Sequence, residues 1–514
     1  MSPNPSPTLT CLPENRIIHH SMRTLQYGRG RGGIWIRKVT NAVGPALCVM
    51  AAASSLSVAG AEPQAALPAD NILCYRTMAD EPYSKLSRYL LDNGLAVIID
   101  ERSTSETVFC GIYVKVGSRY ETKNNNGISH FLEHLLFREK GAAPTVKQIE
   151  ATGGYVNGMT AFEHTTYYFD TLASEFERAW DGLYRLVCEP SFGEDEVELE
   201  RKIIAREVAG MKSNPLAIAY YAAMKEFLPN TSLAMPIPGT RKSLSRIRFD
   251  AIKAFYGAYY VPNNMFVVIV GGVDTESALQ TVCRTFGERE SEQVPPTQFT
   301  LPPPRTKPHA LRLKTLVDQG YLAIGVLTDG EKDRHKHEMR LVDVILGSGR
   351  NSRIYKELKV RRGLTDFIMS LADMVPTEAS GLSDIGIWGI AVGTPPGKLA
   401  EAERIILDEM NRIKREPVPA HEFDTAKQKL LGRFAIHSET NSGRASFYAS
   451  TELAGESMAA EEYRNKIRAV THESMADAAR DHFEDKDVML LEVKPARGLE
   501  KLAAILRFLV FKRI

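Results

Sequence analysis

Two histidines and a glutamate have the types and spacing needed to hold a metal ion and activate a water molecule. His130 and His134 are four residues apart, so on a helix their imidazoles lie on one face, a turn from each other. Glu133 follows His130 by three residues and projects near the same face. Zinc lowers the pKa of a bound water to about 7, and a nearby carboxylate can take its proton as it attacks a carbonyl carbon. The order His-x-x-Glu-His is the inverted form of a metallopeptidase signature.

A catalytic zinc ion usually has three protein ligands and one open position, so a further carboxylate is needed. The acidic helical stretch 194–211 supplies the candidates. Glu200 and Glu207 are seven residues apart and share a helix face over two turns, but spacing alone does not choose between them. The five candidates are Glu194, Glu196, Glu198, Glu200 and Glu207.

The elements around the motif predict an α+β fold. Ile128, Phe131, Leu132 and Leu135 share one face of a helix predicted over 127–137. Strands and helices interleave without a regular β-α-β rhythm, which favours α+β over a doubly wound sheet. The other predicted elements are a hairpin over 90–100, strands over 108–116, near 155–169 and over 266–271, and helices within 173–212 and 215–228.

Four stretches together resemble the pitrilysin, insulinase and mitochondrial processing peptidase superfamily of inverted-motif zinc peptidases. The resemblance covers about residues 82–495. It rests on the segments 127–137, 157–167 and 260–264, and on Glu200 with Glu207.

This resemblance implies roles for individual residues. His130, His134 and Glu207 would bind one zinc ion, with Glu133 as the general base. Glu200 would orient a zinc ligand. A peptide would add as a strand beside the strand that contains Asn157, so that Asn157, Thr160 and Ala161 contact the substrate.

A proline-rich segment divides the chain into two similar halves. We predict a zinc-binding peptidase domain over 82–294, a linker over 295–310 and a metal-free companion domain over 311–495. Each would be an antiparallel β-sheet with helices packed mainly on one face. Aligning Glu196 with Glu422 places Ala426 opposite Glu200 and Arg433 opposite Glu207. Residues 62–81 and 496–514 are predicted extensions.

The companion half departs from the superfamily pattern in one respect. Active single-chain members carry an Arg and a Tyr, seven residues apart, that bind substrate and stabilise the oxyanion. This chain has Lys359 and Asp366 at those positions, and a carboxylate is not an oxyanion donor at neutral pH. The resemblance therefore implies a heterodimer whose homologous partner supplies the Arg and Tyr. In the alternative, Arg361 or Arg362 substitutes and the chain acts alone or as a homodimer.

The net charge and the two terminal segments of the chain allow predictions of its binding partners and its cellular location. The net charge of +1 argues against a nucleic-acid partner. Basic residues, an apolar run over 42–58 and Ala59-Gly60-Ala61 indicate a signal peptide over 1–61, hence export to a periplasm; a mitochondrial presequence is the alternative. The apolar segment 499–514 is expected to dock on its own domain rather than on a membrane. The cysteines Cys74, Cys110, Cys188 and Cys283 are expected to be buried thiols.

Together these features predict a zinc-dependent endopeptidase that hydrolyses unfolded peptides or small proteins. Two alternative functions are also consistent with the sequence. One is a non-catalytic binding or assembly subunit of the same superfamily, and the other is a subunit of a mitochondrial processing peptidase.

Overall fold

The computed structural model describes residues 71–81, 84–138, 143–211, 214–297, 299–302, 306–365, 367–371 and 384–501, together with two short strands at 34–37 and 48–51. Apart from those strands, the predicted signal segment lies outside the described residues, as do Asp366 and residues 502–514 of the C-terminal extension. Among the described helices, none combines the length and the apolar character that a membrane crossing requires.

The strands and helices alternate irregularly along the chain. The strands are β1 (Ile34–Arg37), β2 (Cys48–Ala51), β3 (Ile72–Glu81), β4 (Ser84–Leu91), β5 (Ala96–Glu101), β6 (Thr107–Val114), β7 (Tyr155–Thr160), β8 (Thr165–Leu172), β9 (Met265–Gly271), β10 (His309–Thr315), β11 (Gly320–Thr328), β12 (Phe367–Ser370), β13 (Gly386–Thr394) and β14 (Met489–Pro495). The helices of the first half are α1 (Ile128–Leu136), α2 (Ala143–Ala151), α3 (Phe176–Cys188), α4 (Glu194–Met211), α5 (Pro215–Phe227), α6 (Arg241–Leu244), α7 (Phe249–Tyr259) and α8 (Thr275–Phe286). Those of the second half are α9 (Lys336–Leu346), α10 (Arg353–Tyr355), which continues as a π-helical turn over Lys356–Arg361, α11 (Leu399–Arg415), α12 (Ala420–His437), α13 (Asn441–Leu453), α14 (Ala460–Ala469) and α15 (His472–His482).

The first half is built on a seven-stranded sheet in the order β3-β4-β5-β9-β6-β8-β7. Neighbouring strands run antiparallel except β5 and β9, which are parallel. The central strand β9 is buried at all seven positions, as expected for a strand covered on both faces. One face packs on helices that include α1, α3 and α8, and β7 forms the edge nearest α1.

The second half repeats the plan with a five-stranded sheet in the order β10-β14-β11-β13-β12. The pair β10 and β14 is parallel and the other pairs are antiparallel. The α+β class and the two-domain plan are thus confirmed, with one parallel pair in each sheet. The correspondence extends to helix length, since α4 and α12 both have 18 residues and α5 and α13 both have 13.

The two halves exchange helices. Ala223 and Phe227 of α5, in the first half, pack against Met489 of the second sheet. In return α13 and α14 cover the outer face of the first sheet, where Tyr448 and Ile467 join its buried side chains. The predicted arrangement of helices mainly on one face is therefore completed on the other face by helices from the opposite half.

Polar contacts reinforce this exchange. Arg88 of β4 makes two hydrogen bonds to Glu452 of α13, at 2.8 and 2.7 Å. The fully buried Asp100 accepts a hydrogen bond from the Tyr448 hydroxyl at 2.8 Å and lies 2.9 Å from Nε of Arg444. Buried charges paired in this way are costly to disrupt, because removing one partner leaves the other uncompensated.

Local predictions from the sequence agree closely with the observed elements. The hairpin over 90–100 is β4 and β5, whose turn contains Gly94 at φ 83°. The strand pair near 155–169 is β7 and β8, and the helix over 127–137 is α1. Several strands were not predicted, β3 and β10 among them. Residues assigned to the N-terminal extension form β3, and the end of the predicted linker enters β10. Four cysteines form no disulfide: Cys110, Cys188 and Cys283 are buried, as expected, whereas Cys74 is only half-buried.

Candidate metal and catalytic site

Helix α1 is held at its N-terminus by a buried carboxylate. Glu121 accepts hydrogen bonds from the backbone N–H of Gly127 at 2.7 Å and of Ser129 at 2.9 Å. Gly127 has φ 97°, and a Cβ there would lie 2.9 Å from Gly239 Cα, so only glycine fits without strain. Burial raises the pKa of Glu121 to about 7, and these hydrogen bonds oppose the rise. The apolar face of the helix is buried in the main core through Ile128, Phe131, Leu132 and Leu135.

The opposite face of α1 presents His130 and His134 to Glu207 of α4. The Nε2 atom of His130 lies 3.7 Å from one carboxylate oxygen of Glu207, and Nε2 of His134 lies 3.7 Å from the other. One ligand atom from each of the three residues lies within 4.8 Å of the others. These separations are too long for hydrogen bonds and leave room for an ion held by bonds of about 2 Å.

Glu200 contacts His134 at Nδ1, the ring nitrogen that does not face Glu207. Its Oε2 lies 3.1 Å from Nδ1 of His134, while Oε1 pairs with Arg138 Nε. The Glu200 side chain is 2% exposed, against 43% for Glu207. With Nδ1 of His134 donating to Glu200, its Nε2 is left as the metal-facing acceptor. The two candidate carboxylates thus have different surroundings, and only Glu207 faces both imidazoles.

The donor set fits zinc. Two imidazoles and one carboxylate are a common ligand set for a catalytic zinc ion, with one position left for water or substrate. Burial lowers the pKa of His130 to about 3, with the nearby His134 acting in the same direction, so His130 is neutral and able to donate its lone pair to a metal. Its Nδ1 atom is buried and has no hydrogen-bond partner among the described residues.

Glu133 lies beside this cluster and is held by strand β7. The Thr160 hydroxyl donates a hydrogen bond to Glu133 Oε2 at 2.5 Å. A Cβ on Gly158 would lie 3.1 Å from Glu133 Cγ, so the missing side chain lets the carboxylate approach the strand. Burial raises the pKa of Glu133, and the Thr160 hydroxyl is the largest opposing influence. A partly desolvated carboxylate of this kind is suited to taking a proton.

The predicted substrate-binding residues lie on or just after β7, the edge strand. Asn157 is half-buried, and its side-chain amide donates to the Tyr155 hydroxyl at 2.9 Å. Thr160 points at Glu133, as described above. Ala161 is 3% exposed, its N–H donates to His164 O at 2.8 Å, and its C=O accepts from Ser118 N at 3.1 Å. The three residues therefore lie on or beside the strand that borders Glu133, and of the three it is Thr160 whose side chain bonds Glu133.

Sequence reasoning missed a buried arginine that joins the site to the second half. Arg119 pairs with Glu163, lies 2.6 Å from Asp384 Oδ1 and stacks 3.9 Å from the centroid of the Phe299 ring. Its side chain is 1% exposed. Glu163 appears in the motif segment 157–167, but no local spacing connects it to Arg119 or to Asp384.

The corresponding region of the second half has different chemistry. At the seventh and fourteenth positions of α12, Ala426 and Arg433 occupy the places that Glu200 and Glu207 hold in α4. Arg433 bonds the Ser348 hydroxyl. Among the described residues, only His130, His134 and Glu207 form a group of three or more side chains able to hold one metal ion.

Two family models match this chain. One, described as Insulinase (Peptidase family M16), matches residues 96–241, and the other, described as Peptidase M16 inactive domain, matches residues 246–430. The two-sheet fold and the inverted histidine motif define a peptidase-like protein, and its described residues contain a single group of side chains that could hold a metal ion. The chain belongs to the M16 peptidase family, which is the pitrilysin and insulinase superfamily that its motifs resemble.

Similar proteins are named as zinc proteases. The chain is 26% identical over 418 residues to the uncharacterized zinc protease YmxG of Bacillus subtilis, covering 80% of this chain and 99% of that relative. It is 28% identical over 402 residues to the uncharacterized zinc protease Rv2782c of Mycobacterium tuberculosis, covering 76% and 90%. These names support a protease at a coarse level.

Solved structures share the fold. A protease from Helicobacter pylori superposes with a TM-score of 0.72 at 22% identity, covering 80% of this chain and 100% of that one. A peptidase M16 inactive domain from Pseudomonas fluorescens gives a TM-score of 0.72 at 17% identity, covering 80% and 99%.

Proposed function

We propose that this chain is a zinc-dependent endopeptidase that hydrolyses peptide bonds in unfolded peptides or small proteins. The observation that carries the proposal is the convergence of His130, His134 and Glu207 within 4.8 Å of one another, with Glu133 on the same helix. The alternative of a non-catalytic subunit does not explain why two imidazoles, a facing carboxylate and a buried candidate base lie together.

The substrate is proposed to bind as an added strand on β7. This strand lies at the end of the first sheet and pairs only with β8 among the described strands, so its outer edge can bond an extended peptide. Gly158 and Thr160 of β7 contact Glu133, so a peptide on that edge lies next to the base. An unfolded substrate suits this mode, because a folded one has no spare extended backbone.

The residues around the cluster divide the reaction between them. Zinc held by His130, His134 and Glu207 would polarise the substrate carbonyl and lower the pKa of a water molecule. Glu133 takes a proton from that water as the water oxygen bonds to the carbonyl carbon. Glu133 then returns this proton to the amide nitrogen as the C–N bond breaks, which leaves a carboxyl group, an amine and a regenerated carboxylate.

A quenched-fluorescent peptide assay with zinc analysis tests the proposal. We expect the purified protein to contain about one zinc ion per chain, and Glu133→Gln to keep the zinc and lose nearly all cleavage. Glu194→Gln is a matched control, because Glu194 is exposed at the start of α4. Absence of zinc, or full activity of Glu133→Gln, would contradict the proposal and favour a binding or assembly subunit.

We further propose that activity requires a homologous partner that supplies an Arg and a Tyr. Lys359 stands at the expected Arg position, and its Nζ lies 5.9 Å from the Tyr355 ring centroid. The arginines that could substitute are engaged with Glu357: Arg361 at 2.9 Å and Arg362 at 2.7 Å. Arg362 also lies 3.2 Å from Glu401. These ion pairs favour the heterodimer over the self-sufficient chain.

Partner dependence is tested by assaying the chain alone and mixed with a homologue that lacks the inverted motif. We expect little cleavage by the chain alone and clear cleavage by the mixture. Full activity of the isolated chain would rule out the partner requirement while leaving the zinc chemistry intact.

Export is a separate proposal. It rests on the apolar run over 42–58 and the small residues Ala59-Gly60-Ala61 that follow it. We expect N-terminal sequencing of the mature chain to begin at Glu62. A start elsewhere within the basic leader would favour the mitochondrial address.

A further inference from the structure

The hydroxyl of Thr160 is hydrogen-bonded to Glu133, the proposed general base. It donates to Glu133 Oε2 at 2.5 Å, and a threonine hydroxyl has a single proton to donate. Thr160 is 9% exposed. While this bond stands, the hydroxyl proton is not available to a peptide on the strand edge. The contact therefore gives Thr160 a role different from that of residues that bind the substrate directly.

The surrounding backbone makes the contact specific. Thr160 is the last residue of β7 and pairs with Thr165 of β8, so its position is set by the sheet. Two residues earlier, on the same face of the strand, Gly158 leaves space for the carboxylate: a Cβ there would lie 3.2 Å from Glu133 Oε1. Strand β7 thus holds one carboxylate oxygen by a hydrogen bond and borders the other with a residue that has no side chain.

We propose that Thr160 is a positioning residue for Glu133, fixing one carboxylate oxygen so that the other faces the reacting water. This inference rests on the proposed peptidase function and deepens it. A base must be held within hydrogen-bond reach of the proton it takes, and a glutamate side chain has several rotatable bonds that would otherwise spread the carboxylate over many orientations.

Three variants test whether the Thr160 hydroxyl positions Glu133, and each has a different expected kcat. Thr160→Val keeps the shape and loses the hydroxyl, and we expect kcat to fall about 10- to 100-fold, as for the loss of a hydrogen bond to a charged group. Thr160→Ser keeps the hydroxyl and should restore most of kcat. Thr171→Val is the matched control, because Thr171 is also buried, lies on the neighbouring strand, and its hydroxyl has no partner among the described residues.

Peptide affinity distinguishes positioning from substrate binding. In a Glu133→Gln background, Thr160→Val should leave the Kd of an uncleaved peptide and the zinc content unchanged. A Kd weakened several-fold would show that Thr160 binds the substrate and would overturn the inference.

The conformation of the Glu133 carboxylate in crystals tests the positioning role independently of the proposed peptidase function. In crystals of the zinc-loaded chain, the Glu133 carboxylate should occupy one conformer in the wild type and Thr160→Ser, and several in Thr160→Val. An unchanged single conformer in Thr160→Val would overturn the positioning role alone. A wild type that cleaves no peptide, with or without a partner chain, would overturn the proposed function alone.

Discussion

Arg119 and Asp384 are 265 positions apart in the chain, yet Arg119 Nη1 lies 2.6 Å from Asp384 Oδ1. The arginine belongs to the segment that leads into α1, the helix that carries His130 and His134, since Glu121, two residues later, bonds the start of that helix. The aspartate belongs to the second half, just before β13. This ion pair therefore links the first half, which carries the candidate metal site, to the second half.

Asp384→Asn should destabilise the folded protein. The guanidinium of Arg119 is 1% exposed, so removing one of its two carboxylates leaves a buried charge partly uncompensated, at a cost of about 1–3 kcal/mol. The free energy of unfolding in urea measures this. Asp408→Asn is the control, because the Arg404–Asp408 pair is 59% and 61% exposed and should contribute less than about 0.5 kcal/mol. Equal effects of the two changes would contradict the linking role of Asp384.

Glu207→Gln should remove zinc without unfolding the chain. Glu207 faces both imidazoles at 3.7 Å, and its side chain is 43% exposed, so its loss disturbs little packing. We expect zinc affinity, measured by competition with a chelator, to fall more than about 100-fold, beyond the effect of losing an outer partner. The exposed Glu194→Gln should bind zinc as the wild type does. Normal zinc affinity of Glu207→Gln would reopen the choice among the glutamates of α4.

Glu200→Gln should produce a smaller loss of zinc affinity than Glu207→Gln. Glu200 bonds Nδ1 of His134 and not the metal-facing nitrogen, so its removal loosens the imidazole and leaves all three ligands in place. A fall of about 10- to 100-fold is expected, measured in the same chelator competition. If Glu200→Gln lost zinc more completely than Glu207→Gln, the two roles would have to be exchanged.

Gly158→Ala should impair cleavage while zinc binding remains. The added Cβ would lie 2.6 Å from Phe137 Cε2 and 3.1 Å from Glu133 Cγ, so both the Phe137 ring and the Glu133 side chain have to shift. We expect kcat to fall at least about tenfold, a change of about 1.4 kcal/mol in the activation barrier, with the zinc content unchanged. Gly432→Ala, on α12 with open space around its Cβ position, is the control and should retain full activity.

Most of the candidate metal site could be proposed from the sequence because its signals are local. His130, Glu133 and His134 lie within one short helix, α1. The spacing of its apolar residues alone predicts that helix. The choice of Glu207 over Glu200 required the family resemblance, since both share a face of α4. The structure separates them by environment: one is buried against His134 and Arg138, and the other faces both imidazoles.

The features that the sequence did not predict depend on contacts between segments that are distant in the chain. The bond between Thr160 and Glu133 joins residues that are 27 positions apart on a strand and a helix, and the Arg119–Asp384 pair joins opposite halves. Strand β3 escaped prediction because it lies at a sheet edge and lacks a clear alternation of apolar residues. Such features follow from tertiary packing, which overrides local propensity.

The exchanged helices bear on how the chain acquires its structure during synthesis. The outer face of the first sheet stays uncovered until α13 and α14, residues 441–469, have been made. At about 5–20 residues per second, the roughly 170 residues between β9 and α13 take on the order of ten seconds or more. The nascent first half thus presents an apolar sheet face throughout that interval, so it is a candidate client for a chaperone until its own C-terminal helices arrive.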